Sequence, residues 1–341
     1  MCKPCPFSLS TPSMRTQHQT KLSITLLVKV KGVWHAASNN LKMSKSRVQN
    51  PDLQDGINYW TSQPASLDGV LGGFGSGSLP RVDALGSRQF ILDLLPELHS
   101  VPSTLKHLNA HHHPPTPAPH TRTRALDVGA GIGRVTSDVL LPLVSDVVLL
   151  EPVDPFIRTA LERCQNSASL PSSHNDSGYA MGWEGMWDGR KSVSFFKGPL
   201  QAFDPERPQD GAEVLGRVGF LGGEGSGGGD GDGDDTMSGF DIVWCQWCLG
   251  HLDDDELVAF LGRSKKALRG PRSMIVVKEN LCSQKVADEP RAVFDEQDSS
   301  LTRSDMAFKE IFARAGLKIV KERIQRGLPE GLYPVKMYAL R

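Results

Sequence analysis

The sequence predicts an α/β protein whose core is one doubly wound sheet of seven strands. Two observations lead to this prediction. Short apolar stretches of strand length alternate with segments suited to helices, the order expected when helices cover both faces of a sheet. The first predicted strand ends in an acid and alternating glycines, as in α/β folds that bind a nucleotide-like ligand where a helix begins. With 341 residues, the chain is long enough for one large core of this kind.

The elements follow one another in a regular order. A helix over 87–95 has an apolar face, and one over 155–164 has Pro155 in its first turn. A capping box of Asp253 and Glu256 predicts a third helix, and Thr302 with Asp305 predicts the start of a fourth, which Gly316 ends. Residues 135–141 can start a helix directly after the glycine turn. The predicted strands are 125–128, 146–150, 192–196, 240–245, 274–277, 317–320 and 335–340.

The chain divides into a leader and one folded domain. Residues 1–50 are predicted to be a disordered leader, and residues 51–341 to be the domain, with a helical extension at its N-terminal end. Residues 281–300 are too long for a tight turn and predict an inserted hairpin-like segment. Loop insertions are predicted near 102–122, 166–190 and 206–238, where proline, glycine and serine interrupt the pattern.

Composition excludes several functional classes. A formal net charge of −1 argues against nucleic-acid binding through bulk positive charge. No apolar run is long enough to span a bilayer, so no membrane partner is expected. The six cysteines lack the spacing of a disulfide framework and suit a reducing compartment, which favours the cytoplasm and allows the nucleus. The leader has basic residues and no acid before Asp52, so mitochondrial targeting, a disordered leader and translation from Met43 all stay open.

The glycine turn is the first candidate binding site. Gly129, Gly131 and Gly133 follow the first strand, where a Cβ would hold a ligand away from the backbone. The dinucleotide fingerprint requires a further glycine at position 134, and Arg134 stands there instead. The turn therefore resembles motif I of class I S-adenosylmethionine-dependent methyltransferases. Glu151 ends the next strand about 20 residues further on, where an acid accepts hydrogen bonds from ribose hydroxyls.

Three patterns suggest metal binding, and none is predicted to be a metal site. The histidines at 111–113 lie among prolines, which prevent a compact cage. Alternating aspartates at 230–235 lack the glycine and glutamate that a calcium loop needs. Cys245 and Cys248 have no second ligand pair outside the leader and are explained as small packing residues.

Several unusual sequence pieces occur in an order that resembles eukaryotic protein α-N-terminal methyltransferases. They are DGVLGGFG, LDVGAGIGR, QWCLGHL, KEN, FDEQDSS and the terminal LYPVKMYALR, and the resemblance covers 52–341 apart from the insertions. It implies a Rossmann-like class I methyltransferase fold, S-adenosylmethionine as the cofactor, and protein or peptide N-termini beginning Xaa-Pro-Lys as substrates. Glu151 stands where members of the family commonly carry aspartate.

The resemblance also implies which residues act. His251 and Asp298 match the catalytic positions, where they handle the proton of the substrate amine. Because paired acids select a cation, Asp295, Asp298 and Ser300 match a pocket for the substrate's lysine. The positions implied for the cofactor are Gly129, Gly131, Gly133, Arg134, Glu151, Pro152, Leu200, Gln201 and Gln246. The remaining substrate positions are Tyr59, Trp60, Trp247, Asn280 and Tyr333.

Two other functions are compatible with parts of this pattern. A small-molecule N- or O-methyltransferase would have the same cofactor half and would not need paired acids for a lysine. A non-catalytic cofactor-binding subunit would not need His251 and Asp298.

Overall fold

The computed structural model describes residues 48–99, 122–169, 182–220, 239–283 and 291–341. The leader up to residue 47, the histidines at 111–113 and the aspartates at 230–235 lie outside these ranges, so the predictions made for them stay predictions.

The central sheet has eight strands, in the order β4-β3-β2-β1-β5-β6-β10-β9. Strands β1 to β3, β5 and β6 pair in parallel, and β4, β9 and β10 run antiparallel to their neighbours. The prediction of a doubly wound α/β fold is confirmed, with one strand more than expected. The strands are β1 (Arg124–Val128), β2 (Asp146–Glu151), β3 (Ser192–Lys197), β4 (Glu213–Gly219), β5 (Ile242–Gln246), β6 (Met274–Asn280), β9 (Ile319–Ile324) and β10 (Val335–Leu340).

The eighth strand, β4, corrects the prediction of a loop over 206–238. It extends the sheet beyond β3, where Val218 lies opposite Val193 and Arg217 donates a hydrogen bond to the Ser192 hydroxyl at 3.0 Å. Glycines obscure the strand pattern in this segment, because Gly216 and Gly219 interrupt its apolar residues. Pairing with β3 supplies the stabilisation that local sequence does not indicate.

Helices cover both faces of the sheet. On one face α3 (Leu79–Leu94) and α4 (Asp154–Ser169) contribute to a core with alternate strand residues such as Trp244. On the other face α5 (Asp254–Lys266) and α6 (Asp305–Arg314) pack with the intervening strand residues such as Val243. Alternate strand residues reach opposite faces and both faces are covered, which explains why four of the five residues of the central strand β5, IVWCQ, are apolar.

Residues 182–190, predicted as the end of a loop insertion over 166–190, form turns, but two of their side chains enter the core. Trp183 and Met186 are buried, and Trp183 packs against Phe195 with ring centroids 6.0 Å apart. Helix α4 also continues to Ser169. Serine and glycine dominate the composition of 166–190, so the two residues that are buried gave only a weak signal.

Capping residues mark where α5 and α6 begin. The predicted capping box of α5 is confirmed, since Asp253 accepts from the Glu256 amide and Glu256 from the Asp253 amide. The cap of α6 is Ser304 rather than Thr302, because the Ser304 side chain accepts from the Ala307 amide. The helical start after the glycine turn is one π-helical turn, Thr136–Leu140.

The N-terminal extension is helical, as predicted. It contains α1 (Leu53–Thr61), α2 (Leu67–Val70) and α3, which begins eight residues before the predicted 87–95 because Leu79 is buried and Pro80 suits the first turn. The inserted hairpin is also present as β7 (Ala292–Asp295) paired with β8 (Ser300–Arg303).

Candidate active site

The glycine turn after β1 has the backbone conformation that its sequence indicates. Gly129, Gly131 and Gly133 have φ values of +61°, +57° and +75°, where other residues are strained. A Cβ at Gly129 would lie 2.4 Å from the Cβ of Cys248, and one at Gly133 would lie 2.4 Å from the Trp183 ring. A Cβ at Gly131 would meet only Val70, at 3.6 Å. Two glycines therefore permit close packing, and Gly131 leaves space in a cleft.

Two buried acids lie beneath this turn. Glu151 accepts hydrogen bonds from the amides of Gly131 and Val153, each at 2.8 Å. Asp127, at the end of β1, accepts one from the Thr136 hydroxyl at 2.6 Å. Burial raises the pKa of each carboxyl to about 7. Asp127 was not among the predicted site residues, although its position directly before the glycine turn was a usable signal.

The cleft encloses about 980 Å³, including solvent at its mouth. Its lining includes eight of the nine residues predicted for the cofactor, and Gly133 is the exception because it packs against Trp183. Asp127 and Cys248 also line it, and α1 and α2 contribute apolar residues. The predicted cofactor residues on its walls are Gly129, Gly131, Arg134, Glu151, Pro152, Leu200, Gln201 and Gln246.

These walls fit S-adenosylmethionine in three respects. The Glu151 carboxylate can accept from ribose hydroxyls with the lone pairs that its two amide donors leave free. Leu200 and Pro152 offer apolar surface for a purine, and Arg134 offers a guanidinium for a carboxylate. Gly131 leaves room for the ligand beside the turn.

A smaller cavity of about 360 Å³ adjoins the cleft through two shared residues, Trp247 and His251. It is lined by three further predicted residues, Asn280, Asp298 and Ser300. Two cavities that meet at His251 can hold a methyl donor and an acceptor on either side of it.

Three predicted substrate residues line neither cavity. Tyr59 packs edge-on against Trp60, with ring centroids 5.0 Å apart. Asp295 lies opposite Ser300 across the β7–β8 hairpin, and Tyr333 is half-buried just before β10.

His251 is neutral and already engaged. Its Nε2 accepts a hydrogen bond from the Trp60 indole at 3.1 Å, so its own proton is on Nδ1. Burial lowers its pKa to about 4, and within the described residues its Nδ1 is buried without a hydrogen-bond partner. The residue is thus a hydrogen-bonding group at neutral pH rather than a cation.

The pKa of Asp298 is shifted upwards, in the direction opposite to that of His251. The side chain is buried, with its Oδ1 accepting from the Ser300 hydroxyl at 2.7 Å. Burial raises its pKa to about 6, and the nearby charge of Asp295 acts in the same direction. A carboxyl with this pKa is mostly ionised at neutral pH and still able to accept a proton, as expected of a general base.

Two residues beside these groups have strained backbones. Trp247 and Ser299 have φ values of +55° and +52°, and such outliers concentrate at functional sites. The Trp247 indole N–H is buried and has no hydrogen-bond partner among the residues that the structure describes, and its ring lies under the Arg134 guanidinium at 5.4 Å.

Two further buried residues hold the catalytic segments in place, and sequence reasoning did not single them out. Arg303 on β8 donates to the carbonyls of Leu249 and Leu252, which flank His251 in the chain. Glu279 accepts from the amides of Cys248 and Leu249. The turn that carries His251 is therefore fixed to β6 and to the hairpin of Asp298.

No group of His, Cys, Asp and Glu side chains that could hold a metal ion occurs among the described residues. Cys245 and Cys248 are buried and free, and burial raises their thiol pKa values well above the ordinary range. In the same part of the chain, no helix is long and apolar enough to cross a membrane.

The fold and the cleft define an S-adenosylmethionine-dependent methyltransferase. A sequence profile for the family described as AdoMet dependent proline di-methyltransferase matches residues 49–211 and 234–341, and the chain belongs to this family. The segment between the two matched parts contains the whole of β4.

Named relatives and a solved structure agree with this assignment. Alpha N-terminal protein methyltransferase 1 of Arabidopsis thaliana is 34% identical over 84% of this chain and 78% of its own length. The Schizosaccharomyces pombe protein of the same name is 32% identical over 84% and 94%. N-terminal Xaa-Pro-Lys N-methyltransferase 1 of Danio rerio is 30% identical over 83% and 92%. The structure of a SAM-dependent methyltransferase from Leishmania major has 27% identity, a TM-score of 0.54, and coverage of 84% and 82%.

Proposed function

We propose that this protein transfers a methyl group from S-adenosylmethionine to the α-amino group of protein N-termini that begin Xaa-Pro-Lys. The main support is the pair of cavities that meet at His251, one with the glycine turn and Glu151, the other with Asp298 and Ser300. The names of the relatives support the same acceptor.

The cofactor is proposed to occupy the larger cleft. Glu151 would accept from its ribose hydroxyls, Leu200 and Gln201 would lie beside its purine, and Arg134 would bind its carboxylate. When bound, it supplies a sulfonium methyl with a good leaving group, so the protein needs mainly to orient a neutral amine and exclude water.

Asp298 is proposed to remove the proton that keeps the amine unreactive. A free α-amino group has a pKa near 8 and is largely protonated at neutral pH. Asp298, with a pKa of about 6, is ionised at that pH and can accept the proton. His251, with a pKa of about 4, is too weak to compete and is proposed to orient the amine as a neutral hydrogen-bond acceptor once Trp60 releases its Nε2.

The hairpin is proposed to recognise the substrate's third residue. Asp295 and Ser300 are opposite each other on β7 and β8, and Asp298 lies in the turn between them. Two carboxylates near one another favour a lysine and disfavour an acidic side chain. Asn280, in the same cavity as Asp298, has an amide suited to the first peptide unit, and Trp247 offers a flat surface for proline.

Mass spectrometry of peptides tests the proposal. A Ser-Pro-Lys peptide incubated with the protein and S-adenosylmethionine should gain mass at its α-amino group in steps of about 14 Da. Each step is the net addition of one CH₂ when a methyl group replaces a hydrogen of the neutral amine. A matched Ser-Pro-Glu peptide should react at least about tenfold more slowly, as like charges repel in the hairpin. Equal rates would favour the alternative, a small-molecule methyltransferase. No turnover of either peptide, with intact cofactor binding, would favour a non-catalytic subunit.

A cytoplasmic or nuclear location is proposed as well. The four cysteines within the described ranges are buried and free, as in proteins of reducing compartments. Microscopy of the full chain with a C-terminal fluorescent tag tests this proposal, and a purely mitochondrial signal would overturn it.

A further inference from the structure

One carboxylate in the N-terminal extension is bonded to two residues of the cofactor cleft. Asp83, on α3, accepts from Arg134 Nη1 at 2.7 Å and from Gln246 Nε2 at 3.0 Å on both of its oxygens. Arg134 and Gln246 both line the cleft, whereas Asp83 does not. Asp83 is 0% exposed, so water cannot replace these bonds.

A buried cation completes the cluster. The Lys278 ammonium lies 2.6 Å from Asp83 Oδ1 and also donates to the Ser87 hydroxyl at 2.8 Å. Gln246 and Lys278 are partners in the register of β5 and β6, so their side chains extend from the same face of the sheet towards α3. The cluster is thus built from four parts of the chain: α3, the glycine turn, β5 and β6.

The charges of the cluster do not balance within it. Arg134 and Lys278 share the single carboxylate of Asp83. Burial alone would raise the pKa of Asp83, but the attraction of both cations and the hydrogen bonds from Lys278 and Gln246 lower it to about 2. Lys278 is enclosed, with no exposed side-chain surface, while Arg134 reaches the cleft. Arg134 therefore brings its charge to the cleft, where the Asp127 carboxyl also interacts with it, and Asp83 holds that guanidinium by one of its nitrogens.

We propose that Asp83 is a positioning residue for the cofactor: it fixes the Arg134 guanidinium and the Gln246 amide so that they meet the carboxylate end of S-adenosylmethionine. This inference rests on the proposed role of Arg134. The N-terminal extension would thus contribute to cofactor binding through Arg134 and Gln246, in addition to covering the cleft with α1 and α2.

Two ligands separate positioning from general stability. S-adenosylhomocysteine has the amino-acid end that Arg134 would bind, and 5′-methylthioadenosine lacks it while keeping the nucleoside. Calorimetry of the full chain with Asp83→Asn should show at least about tenfold weaker binding of S-adenosylhomocysteine, and binding of 5′-methylthioadenosine within about twofold of wild type. Equal losses for both ligands, or no loss for either, would overturn the proposal.

A charge-balanced variant guards against misfolding. Asp83→Asn alone leaves a buried lysine without its anion and can unfold the protein. Asp83→Asn with Lys278→Met removes one charge of each sign and keeps the net charge of the cluster. This double variant should fold and show the same selective loss of S-adenosylhomocysteine. Recovery of wild-type binding in it would mean that Asp83 only neutralises Lys278, which overturns the positioning role.

Arg134→Met separates failure of this inference from failure of the proposed cofactor role. If Arg134→Met binds both ligands as wild type does, the proposed contact of Arg134 with the carboxylate is wrong. If Arg134→Met loses S-adenosylhomocysteine selectively and Asp83→Asn does not, only the positioning role is wrong. With both roles correct, combining Arg134→Met and Asp83→Asn should weaken binding little beyond Arg134→Met alone.

Discussion

The indole Nε1 of Trp60 donates a hydrogen bond to Nε2 of His251 across 3.1 Å. This contact joins α1 of the N-terminal extension to the turn after β5, and the Trp60 ring also packs against Phe156. The bond uses the one lone pair through which a neutral His251 could accept a proton or a substrate hydrogen bond. In the proposed mechanism, the substrate amine would therefore displace this donor before it binds Nε2 of His251.

Trp60→Phe should raise the pKa of His251 above about 4, because a donor at Nε2 stabilises only the neutral imidazole, whereas burial, the main cause of the low pKa, is retained. Phenylalanine keeps the aromatic contact and removes the N–H. Nuclear magnetic resonance of the histidine ring nitrogens between pH 3.5 and 8 measures the shift. Trp183→Phe, which changes a buried tryptophan packed against Phe195 instead, is the matched control and should leave the value unchanged. An unchanged pKa in Trp60→Phe would mean that burial alone sets it.

Gly131→Val should weaken S-adenosylmethionine binding at least tenfold, or about 1.4 kcal/mol, because its side chain would project into the cleft. Gly133→Ala should act mainly on stability: it should lower the melting temperature, with a smaller effect on the affinity for S-adenosylmethionine. The reason is that its Cβ would lie 2.4 Å from the Trp183 ring, away from the cleft lining. Calorimetry and thermal denaturation of both variants test this difference. The same ratio of affinity loss to stability loss in both would contradict it.

Local sequence was sufficient to predict the parallel core. The run before Gly129, the acid at Glu151 and the capping box at Asp253 each depend on neighbours in the chain, and each predicted its element. Strand β4 depends on pairing with β3, and the burial of Trp183 depends on the space beside Gly133. Neither partner is near in sequence, so composition alone indicated loops.

The residues of the site also divide into those indicated by their neighbours in the chain and those that depend on distant partners. Residues in local motifs, such as Arg134 and His251, could be named from the sequence because their neighbours carried the pattern. Asp83 and Arg303 act through partners about 50 or more residues away, so no local pattern indicated them. The hydrogen bond from Trp60 to His251 spans 191 positions and likewise required the folded chain.

Replacing residues 222–238 with a short Gly/Ser linker should leave peptide methylation unchanged, because the stretch has almost nothing apolar to bury. Removing 212–238, which also deletes β4, should lower the melting temperature by several degrees, at roughly 2–4 °C per kcal/mol lost. The deletion removes the pairing of Val218 with Val193 and the bond from Arg217 to Ser192. Lost methylation in the shorter replacement, with an unchanged melting temperature, would show that the linker takes part in function.

Asp298→Asn should stabilise the protein at neutral pH and abolish most of its activity. The carboxyl has a pKa of about 6 in the folded protein and an ordinary value of 3.8, so in the unfolded chain it ionises at lower pH. Between these values the folded state binds more protons, and stability falls as pH rises from about 4 to 6. Above pH 6 the cost of ionising Asp298 reaches about 3 kcal/mol, at 1.36 kcal/mol for each pKa unit.

Asparagine avoids this cost and can still accept the Ser300 hydroxyl. The difference in melting temperature between Asp298→Asn and wild type should therefore be largest above pH 6 and vanish below about pH 4. Single-turnover methylation of an Xaa-Pro-Lys peptide should fall about 10²–10⁴-fold at pH 7 and recover in part towards pH 9.5, where solvent deprotonates the amine. Ser300→Ala is the control for the hydrogen bond, since it keeps the carboxylate. A variant that is less stable than wild type at pH 7.5, or that methylates at the wild-type rate, would contradict a buried, ionised base at this position.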